Sequence, residues 1–336
     1  MFRGRHFARL APLVVLGFTL AMTTSHALDL QGHRGARGLA PENTLPAFAR
    51  ALSIGVTTLE LDCGVTRDGA VVVSHDAALN PDITRTGDGR WLGEPGPAIH
   101  RLTFAELARY DVGRIRPGSA YEQRFPAQVP QDGTRIPRLA DVFDLVRKSG
   151  NEAVRFNIET KISPLTPGET TTPEDFSRRL IAAVRAAGMA HRTTIQSFDW
   201  RTLQVVQKEA PEIPTVYLTA RQDFMDNVRA AESDSPWSAG FHVSRFGGSL
   251  PRAVKAAGGA AWSPYYREVT RADVTEAQGL GLKVVVWTVN TEAEIRNMIA
   301  LGVDGIISDY PDLLRKVAAE MDLPLPAPAR TITPEE

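Results

Sequence analysis

Short apolar runs of strand length alternate along most of the chain with segments whose apolar residues recur at three- and four-residue intervals. Helical spacing of this kind is clear in TLPAFARALSIG, DWRTLQVVQKEA and TEAEIRNMIALG. Strands that alternate with amphipathic helices are typical of α/β proteins with parallel sheets. The pattern predicts eight strands, at 28–32, 57–63, 155–160, 193–197, 213–218, 259–263, 282–289 and 304–308.

Eight strand–helix units in a chain of 336 residues predict an α/β fold, a (β/α)8 TIM barrel. An open doubly wound sheet is the alternative architecture. The choice matters for function, because the side chains that act together in a barrel come from the carboxyl ends of different strands. Polar residues at the predicted strand ends are therefore the first candidates for chemistry.

Two regions interrupt the alternation. Residues 77–138 are rich in glycine, proline and charge and are too long for an ordinary βα loop, so we predict an insertion between the second and third barrel strands, with one short helix at 103–110. A smaller irregular region spans 233–250, where GFHVS has the pattern of an extra strand. The last residues, 321–336, are Pro-rich and predict a loosely ordered tail.

The amino terminus has the organisation of an export signal. Basic residues precede an apolar run from Leu10 to Met22, and the tripeptide SHA ends at Ala27 with small residues on either side of the histidine. This pattern predicts a signal peptide at 1–27, followed by a domain at 28–320 that is periplasmic or secreted and has no stable membrane insertion. A membrane anchor is the alternative, but the apolar run is shorter than the ~20 residues that a spanning helix needs.

Composition narrows the classes of partner. The 38 basic and 39 acidic side chains leave a formal charge of −1, so no overall field attracts nucleic acid, and phosphate recognition must be local. The single cysteine, Cys63, lies in an apolar strand, where we interpret it as a packing residue, and it excludes an intramolecular disulfide. No pattern in the sequence indicates an oligomeric state.

Polar side chains of several chemical types stand at the predicted strand ends. They are His33, Arg34, Glu60, Asp62, Glu159, Lys161, Gln196, Trp287 and Asp309. Glu60 and Asp62 are two residues apart in one strand and therefore face the same side, here the barrel interior. With Glu159 they form an all-oxygen ligand set that suits Ca²⁺ or Mg²⁺ better than zinc or copper. The alternative is a buried carboxylate pair balanced by Arg34 and Lys161.

A second histidine reaches this group through a predicted hairpin. Asp68-Gly69 in TRDGAVVVSHD is a strong two-residue turn signal, and a two-residue loop places His75 directly opposite Asp62 on the same face. One residue more or less in the loop would turn His75 away. On this register two histidines share one end of the barrel with the carboxylates.

These groups together suit phosphodiester chemistry. Histidines that titrate near neutrality can serve as base and acid, which is the role predicted for His33 and His75. Arg34, Lys161 and a metal ion can bind the anionic phosphate and offset charge in the transition state. Gln196 could hydrogen-bond the substrate or only its neighbours in the protein. Trp287 is either a packing residue of the core or an apolar wall for the substrate.

Six motifs point to one family. In chain order they are GHRGARGLAPENTLPAF, LELDCGVTRDGAVVVSHD, NIETK, QSFDW, WTVN and DGIISDYP. With these motifs the chain resembles the glycerophosphodiester phosphodiesterases from about residue 29 to about residue 318. The resemblance implies a TIM barrel that uses a divalent cation to hydrolyse deacylated phospholipids to sn-glycerol 3-phosphate and an alcohol, with a small-molecule glycerophosphodiester as its partner.

The resemblance also implies roles for individual residues. It places the acid and the base on His33 and His75, and the phosphate contacts on Arg34 and Lys161. It places the metal ligands on Glu60, Asp62 and Glu159, and the aromatic contact to the glycerol side on Trp287. Glu42 is assigned a structural role, and Asn43 is predicted to cap the first helix. The insertion at 77–138 resembles the periplasmic type, whereas Cys63-Gly64 departs from the family pattern.

Two other functions remain open at this point. One is a phospholipase C- or D-like enzyme that acts on intact lipid, which would show exposed apolar loops; segment 77–138 contains Trp91 and Phe125 but is dominated by charge and glycine. The other is an exported, non-catalytic binding protein for glycerophosphodiesters. The pair of histidines argues against it, because binding alone needs no acid and base.

Overall fold

A computed structural model describes residues 1, 2, 4 and 27–330 of the chain. The apolar run of the predicted signal peptide and the last six residues lie outside the described residues. No helix in the part of the chain that is described has the length and apolar character needed to cross a membrane.

Eight parallel strands close into a barrel, as predicted. Each strand pairs with the next in the chain, and the last pairs with the first, Gly32 lying opposite Ser308. The strands are β1 (Asp29–Gly32), β2 (Thr58–Val65), β3 (Arg155–Thr160), β4 (Thr193–Ser197), β5 (Thr215–Thr219), β6 (Ala261–Pro264), β7 (Lys283–Val286) and β8 (Gly305–Ser308). The open doubly wound sheet is therefore excluded.

One helix follows each barrel strand, and two further short helices lie in the insertion. In chain order the helices are α1 (Leu45–Ile54), α2 (Phe104–Leu107), α3 (Ala120–Arg124), α4 (Leu139–Lys148), α5 (Pro173–Ala186), α6 (Trp200–Glu209), α7 (Leu250–Ala256), α8 (Arg271–Gly279), α9 (Glu292–Leu301) and α10 (Pro311–Glu320). Helices α2 and α3 belong to the insertion, and the others surround the barrel.

The alternation of residues along β2 shows how the sequence builds both the core and the site. Leu59, Leu61 and Cys63 are fully buried in the hydrophobic cluster that the barrel shares with its helices. Glu60 and Asp62 take the intervening positions and are also buried. Because side chains in a strand alternate between its faces, the apolar residues pack outward against helices while the two carboxylates face the barrel interior. Cys63 is a packing residue, as predicted.

Polar side chains fill the barrel interior below the site. The Asn157 amide donates to the Gln31 and Gln196 side chains at 3.0 and 2.8 Å, and the Thr194 hydroxyl donates to Asn157 at 2.9 Å. Such a layer is stable only when its members satisfy one another's hydrogen bonds. The residues at the carboxyl ends of the strands lie directly above this hydrogen-bonded polar layer.

The structure departs from several predicted details. The short helix predicted at 103–110 is present as α2, but the insertion also contains a second short helix, α3, and its own hydrophobic cluster. The GFHVS segment is not a strand, since Val243–Phe246 forms a 3-10 turn. Within the predicted tail, the Ala329 amide donates to the Leu52 carbonyl of helix α1 at 2.9 Å.

The start of α1 also differs from the prediction. Thr44 caps the helix and accepts from the Ala47 amide at 3.4 Å. Asn43 instead adopts a left-handed conformation with φ 55°, and its side chain donates to Asp62 Oδ2 at 2.9 Å. The residue expected to cap the helix therefore orients one of the predicted metal ligands.

Candidate active site

A pocket of about 610 Å³ opens at the carboxyl ends of the strands. All nine predicted site residues line it: His33, Arg34, Glu60, Asp62, His75, Glu159, Lys161, Gln196 and Trp287. The pocket lies at the end of the barrel where residues from separate strands converge.

Three buried carboxylates form its floor. Glu60, Asp62 and Glu159 each offer an oxygen within 4.8 Å of the others. Burial and the adjacent Asp62 raise the pKa of Glu60 well above its usual range, and burial raises the pKa of Glu159 to about 7 against the effect of Lys161. Burial by itself would also raise the pKa of Asp62, but Arg34 and other cationic groups hold this pKa below its usual range. A hard divalent cation with oxygen ligands fits this donor set.

Two cations lie against the carboxylates. Arg34 Nη1 is 2.5 Å from Glu42 Oε1 and Arg34 Nε is 3.2 Å from Asp62 Oδ2. Lys161 Nζ is 2.8 Å from Glu159 Oε1 and 3.9 Å from Asp62 Oδ1. The ion pairs of the alternative interpretation therefore exist, but four carboxylates face only two cations. With all four carboxylates ionised, as a bound cation favours, the cluster has an excess of two negative charges, which matches one divalent ion.

His33 is held by a chain of buried groups. Its Nδ1 is 2.6 Å from Asp309 Oδ1, and Asp309 in turn accepts from Arg37 Nε at 2.7 Å and from Asn290 Nδ2 at 2.7 Å. Because Asp309 accepts at Nδ1, that nitrogen carries the proton and Nε2 is the free acceptor. Burial and Arg37 lower the pKa of His33 to about 4, so the ring is neutral at pH 7.

His75 has a similar but local arrangement. Its Nδ1 is 2.7 Å from Asp76 Oδ1, and Asp76 Oδ2 accepts from the Asn80 amide at 2.8 Å. Burial and the cationic Arg34 lower the pKa of His75 as well. Its side chain is 31% exposed, compared with 12% for His33.

The register that was used to place His75 is wrong. In the hairpin, Cys63 pairs with Val73 and Val65 with Val71, and Asp62 lies opposite Ser74, whose amide donates to the Asp62 carbonyl at 2.9 Å. The loop has three residues, because Gly69 with φ 85° takes the left-handed position after a turn. His75 nevertheless lines the pocket, since the last hydrogen bond of the hairpin is made by Ser74 and the chain bends from His75 onward.

Two residues with open roles are now placed. The Gln196 amide donates to Glu60 Oε1 at 2.8 Å and its carbonyl accepts from Asn157, so Gln196 bonds its neighbours and orients a carboxylate. Trp287 donates to the Ser263 carbonyl at 2.9 Å and also lines the pocket. It is therefore both part of the packing and part of the wall.

Trp287 belongs to a row of aromatic rings along one side of the pocket, which we call the aromatic wall. Phe198 lies 5.2 Å from Trp287, Trp287 lies 5.5 Å from Tyr265 and Tyr265 lies 5.4 Å from Phe224, measured between ring centroids. Phe224 is 64% exposed at the outer end of the row. The wall gives the pocket an apolar side. It adjoins the charged floor, since Lys161 Nζ lies 5.7 Å from the ring centroid of Phe198.

The insertion closes another side of the pocket. The Tyr121 hydroxyl on α3 donates to the Glu42 carboxylate, and Arg37 lies over the Phe125 ring at 4.6 Å. The Gln128 side chain donates to the Arg37 carbonyl at 2.7 Å. Glu42 thus joins Arg34 to the insertion.

Sequence reasoning missed several of these contributors. Asp309 was recognised at a strand end without a role, and Arg37 was included in the first motif without a role. Asn290 lies in the WTVN motif but was given no role, and Phe125 was considered only as an apolar residue of the insertion. Tyr121 and Arg124 were not singled out, because no motif or spacing connects them to residues far away in the chain. A usable signal was the aspartate that directly follows β8, since strand ends in a barrel meet at one face.

A barrel whose mouth combines two carboxylate-backed histidines, an anionic oxygen cluster and cationic side chains is the site of a hydrolase acting on phosphoric diesters. Residues 33–313 match the model of the glycerophosphoryl diester phosphodiesterase family. The chain belongs to this family.

Similar proteins agree with this assignment. A glycerophosphodiester phosphodiesterase of Caldanaerobacter subterraneus subsp. tengcongensis is 30% identical, over 84% of this chain and 94% of its own. One from Bacillus subtilis is 29% identical, over 85% and 84%. A crystal structure from Silicibacter pomeroyi, assigned to the same class of enzyme, is 37% identical with a TM-score of 0.79, covering 89% of this chain and 95% of its own.

Proposed function

We propose that this enzyme hydrolyses small glycerophosphodiesters to sn-glycerol 3-phosphate and an alcohol in a reaction that depends on a divalent cation. The observation that carries the proposal is the convergence of His33 and His75 on one pocket with the cluster of three carboxylates. The names of the similar enzymes support the choice of substrate class. Binding without turnover is set aside, because the chain belongs to an enzyme family.

Glu60, Asp62 and Glu159 would hold the cation. Their oxygens are close enough to share one ion. When all carboxylates of the cluster are ionised, its excess of two negative charges favours a divalent cation. Oxygen-only ligands suit Ca²⁺ or Mg²⁺. A bound cation of this kind polarises the phosphoryl group and offsets charge that develops on its oxygens.

The two histidines would divide the proton transfers. Nε2 of His33 faces the pocket without a proton, because Asp309 takes the hydrogen bond of Nδ1. His33 therefore suits the base that takes a proton from the attacking hydroxyl or water. His75 then suits the acid that protonates the leaving alkoxide, since a bound anionic phosphate favours its charged form.

Arg34 and Lys161 would position the phosphate. Both line the pocket, and each already contacts a carboxylate of the cluster, Arg34 at Asp62 and Lys161 at Glu159. Their charges lie beside the proposed cation, where they can bind the remaining phosphate oxygens and stabilise charge in the transition state.

The function is tested with a coupled assay for released glycerol 3-phosphate over several head groups. EDTA treatment should abolish release, and separate additions of Ca²⁺ and Mg²⁺ should show which ion restores it. The variant His33→Ala should lose turnover while its far-UV spectrum is unchanged. Full hydrolysis in EDTA, or an unaltered rate in His33→Ala, would contradict the proposal.

Hydrolysis of intact or monoacyl lipid is the second candidate, and one observation favours it. Phe224 is 64% exposed at the outer end of the aromatic wall and lines the pocket, where an acyl chain would find apolar contact. Comparing glycerophosphocholine with phosphatidylcholine micelles in the same assay separates the two candidates. Faster release from the micelles would favour the lipid.

For location, we propose that residues 1–27 act as a signal peptide and that the mature protein is periplasmic or secreted. The support is compositional: basic residues, an apolar run and small residues around the cleavage position. Amino-terminal sequencing of the mature protein tests it, with a first residue at Leu28 expected and an intact Met1 terminus contradicting it.

A further inference from the structure

Arg124 lies at the rim of the pocket on the side that the insertion covers. It ends α3, and both Arg124 and Phe125 line the pocket. The guanidinium carbon is 5.6 Å from the ring centroid of Tyr121 and 5.7 Å from that of Phe125. Stacking of this kind restricts a long side chain while leaving its N–H donors free to bind a ligand.

Arg124 differs from the other strong cations of the pocket. Arg34, Arg37 and Lys161 each contact a carboxylate, at 2.5, 2.7 and 2.8 Å. Within residues 27–330, by contrast, no carboxylate lies within ion-pair distance of Arg124. Among the described residues, the pocket therefore carries one positive charge at its rim that no carboxylate of the protein neutralises.

The helix that carries Arg124 is anchored to the barrel. Tyr121 donates to Glu42, and Phe125 packs under Arg37 at 4.6 Å. Glu42 also binds Arg34, one of the proposed phosphate contacts. The backbone position of Arg124 is thus fixed relative to the site, and the two rings that its guanidinium stacks on belong to the same anchored helix.

The aromatic wall lies on the opposite side of the pocket. Helix α3 contacts the loop after β1, whereas Phe224 follows β5, Tyr265 follows β6 and Trp287 follows β7. In the ring of eight strands, β5 and β6 are diametrically across from β1 and β2. The proposed phosphate site lies between the two sides. A phosphodiester carries two alcohol groups, one on each ester oxygen. The aromatic wall can give one of them apolar contacts, and Arg124 can give the other a positive charge.

We propose that Arg124 determines head-group specificity by binding an anionic group, such as a carboxylate, on the leaving alcohol. This inference rests on the proposed function, because it assigns one alcohol group of that substrate to the insertion side. A free guanidinium is suited to a carboxylate, with which it forms paired hydrogen bonds, and it repels a cationic head group. The enzyme should therefore favour glycerophosphoserine over glycerophosphoethanolamine, two substrates that differ by one carboxylate.

The test is the ratio of kcat/KM for these two substrates in a charge series at position 124. Arg124→Gln should lower the serine-to-ethanolamine ratio about threefold to fivefold, the size expected for one partly exposed ion pair. Arg124→Lys should keep most of the preference, and Arg124→Glu should reverse it. Arg109→Gln is the matched control, because Arg109 is an exposed arginine of the same insertion that does not line the pocket.

The outcomes separate the inference from the function on which it rests. If Arg124→Gln and Arg124→Glu hydrolyse both substrates with the wild-type ratio, the assignment of Arg124 is wrong while the proposed function stands. If the wild-type enzyme hydrolyses neither substrate with any metal, the proposed function itself fails. A change of the same size in Arg109→Gln would show a general charge effect and would also overturn the assignment.

Discussion

His33 and His75 face the same pocket, but they are held there in different ways. His33 directly follows barrel strand β1, and its partner Asp309 follows the last strand. Asp309 also accepts from Arg37 in the loop after β1 and from Asn290 in the loop after β7. His75 lies in the loop after the hairpin, and its partner is the next residue, Asp76. One histidine is positioned by tertiary structure and the other by local sequence.

The difference has consequences for the chemistry. A buried ring whose partner is fixed from three directions keeps one tautomer and one orientation, which suits a base that must be ready before the substrate binds. A more exposed ring on a loop can exchange its proton with solvent between turnovers, which suits an acid. The comparison predicts that substitutions at His33 and its partner will change the rate differently from substitutions at His75 and its partner.

The largest effect should come from removing the histidines in turn. We expect His33→Ala and His75→Ala each to lower kcat about 10³-fold with a natural head group, the usual range for acid–base catalysis. With a nitrophenyl leaving group, which departs without a proton, His75→Ala should recover most of its rate and His33→Ala should not. Steady-state rates on both substrates measure this, and equal recovery in both variants would remove the assigned division of roles.

A smaller effect is expected from the residues behind the rings. Asp309→Asn should lower kcat about 10²-fold, because it alters the tautomer of His33 and leaves Arg37 without its buried charge partner. Asp76→Asn should lower kcat about tenfold or less, since Asp76 and His75 are both partly exposed. A pH profile and a melting curve of each variant distinguish a catalytic change from unfolding. A greater loss in Asp76→Asn would contradict the comparison.

The smallest effect concerns the carboxylates between the two histidines and appears in stability rather than rate. Burial raises the pKa of Glu159 from 4.5 to about 7, so the metal-free folded protein holds a proton that the unfolded chain has released in this range. Its contribution to stability therefore falls as pH rises from 4.5 to 7. Added Ca²⁺ or Mg²⁺ should raise Tm by several degrees at pH 8 and by less at pH 5, where protons compete.

The variant Glu159→Gln serves as the control for that measurement. It removes the titration and one ligand oxygen, so both the pH dependence and the metal-induced shift of Tm should shrink. Thermal melts with EDTA and with each ion at the two pH values measure the result. A shift of equal size at pH 5 and pH 8 in the wild-type protein would exclude proton competition at this cluster.

Much of the fold was predictable because strands and helices in this chain have clear periodicity. Strands 155–160 and 193–197 were predicted residue for residue, and all eight barrel strands were found. The insertion was harder, because its helices have four and five residues and its core is small. Segments so short carry too few repeats to define a period.

The residues of the candidate site were predicted, but several of the contacts that hold them in place were not. Alternation along β2 requires Glu60 and Asp62 to face inward, whatever the details of the fold. His75 reached the pocket for a different reason from the one predicted, since a three-residue loop shifts the hairpin by one and the chain then bends. Local rules cannot decide such a shift when Asp68-Gly69 is compatible with either loop length.

By itself, therefore, the sequence determined the eight strand–helix units, the inward carboxylates and the collection of polar groups at strand ends, because these follow from local periodicity. Tertiary structure alone decided that Asp309 would bind His33, that Asn43 would bind Asp62 instead of capping α1, and that α3 would bring Arg124 to the pocket. These contacts join residues far apart in the chain, and only closure of the barrel and docking of the insertion bring their atoms within hydrogen-bond or stacking distance.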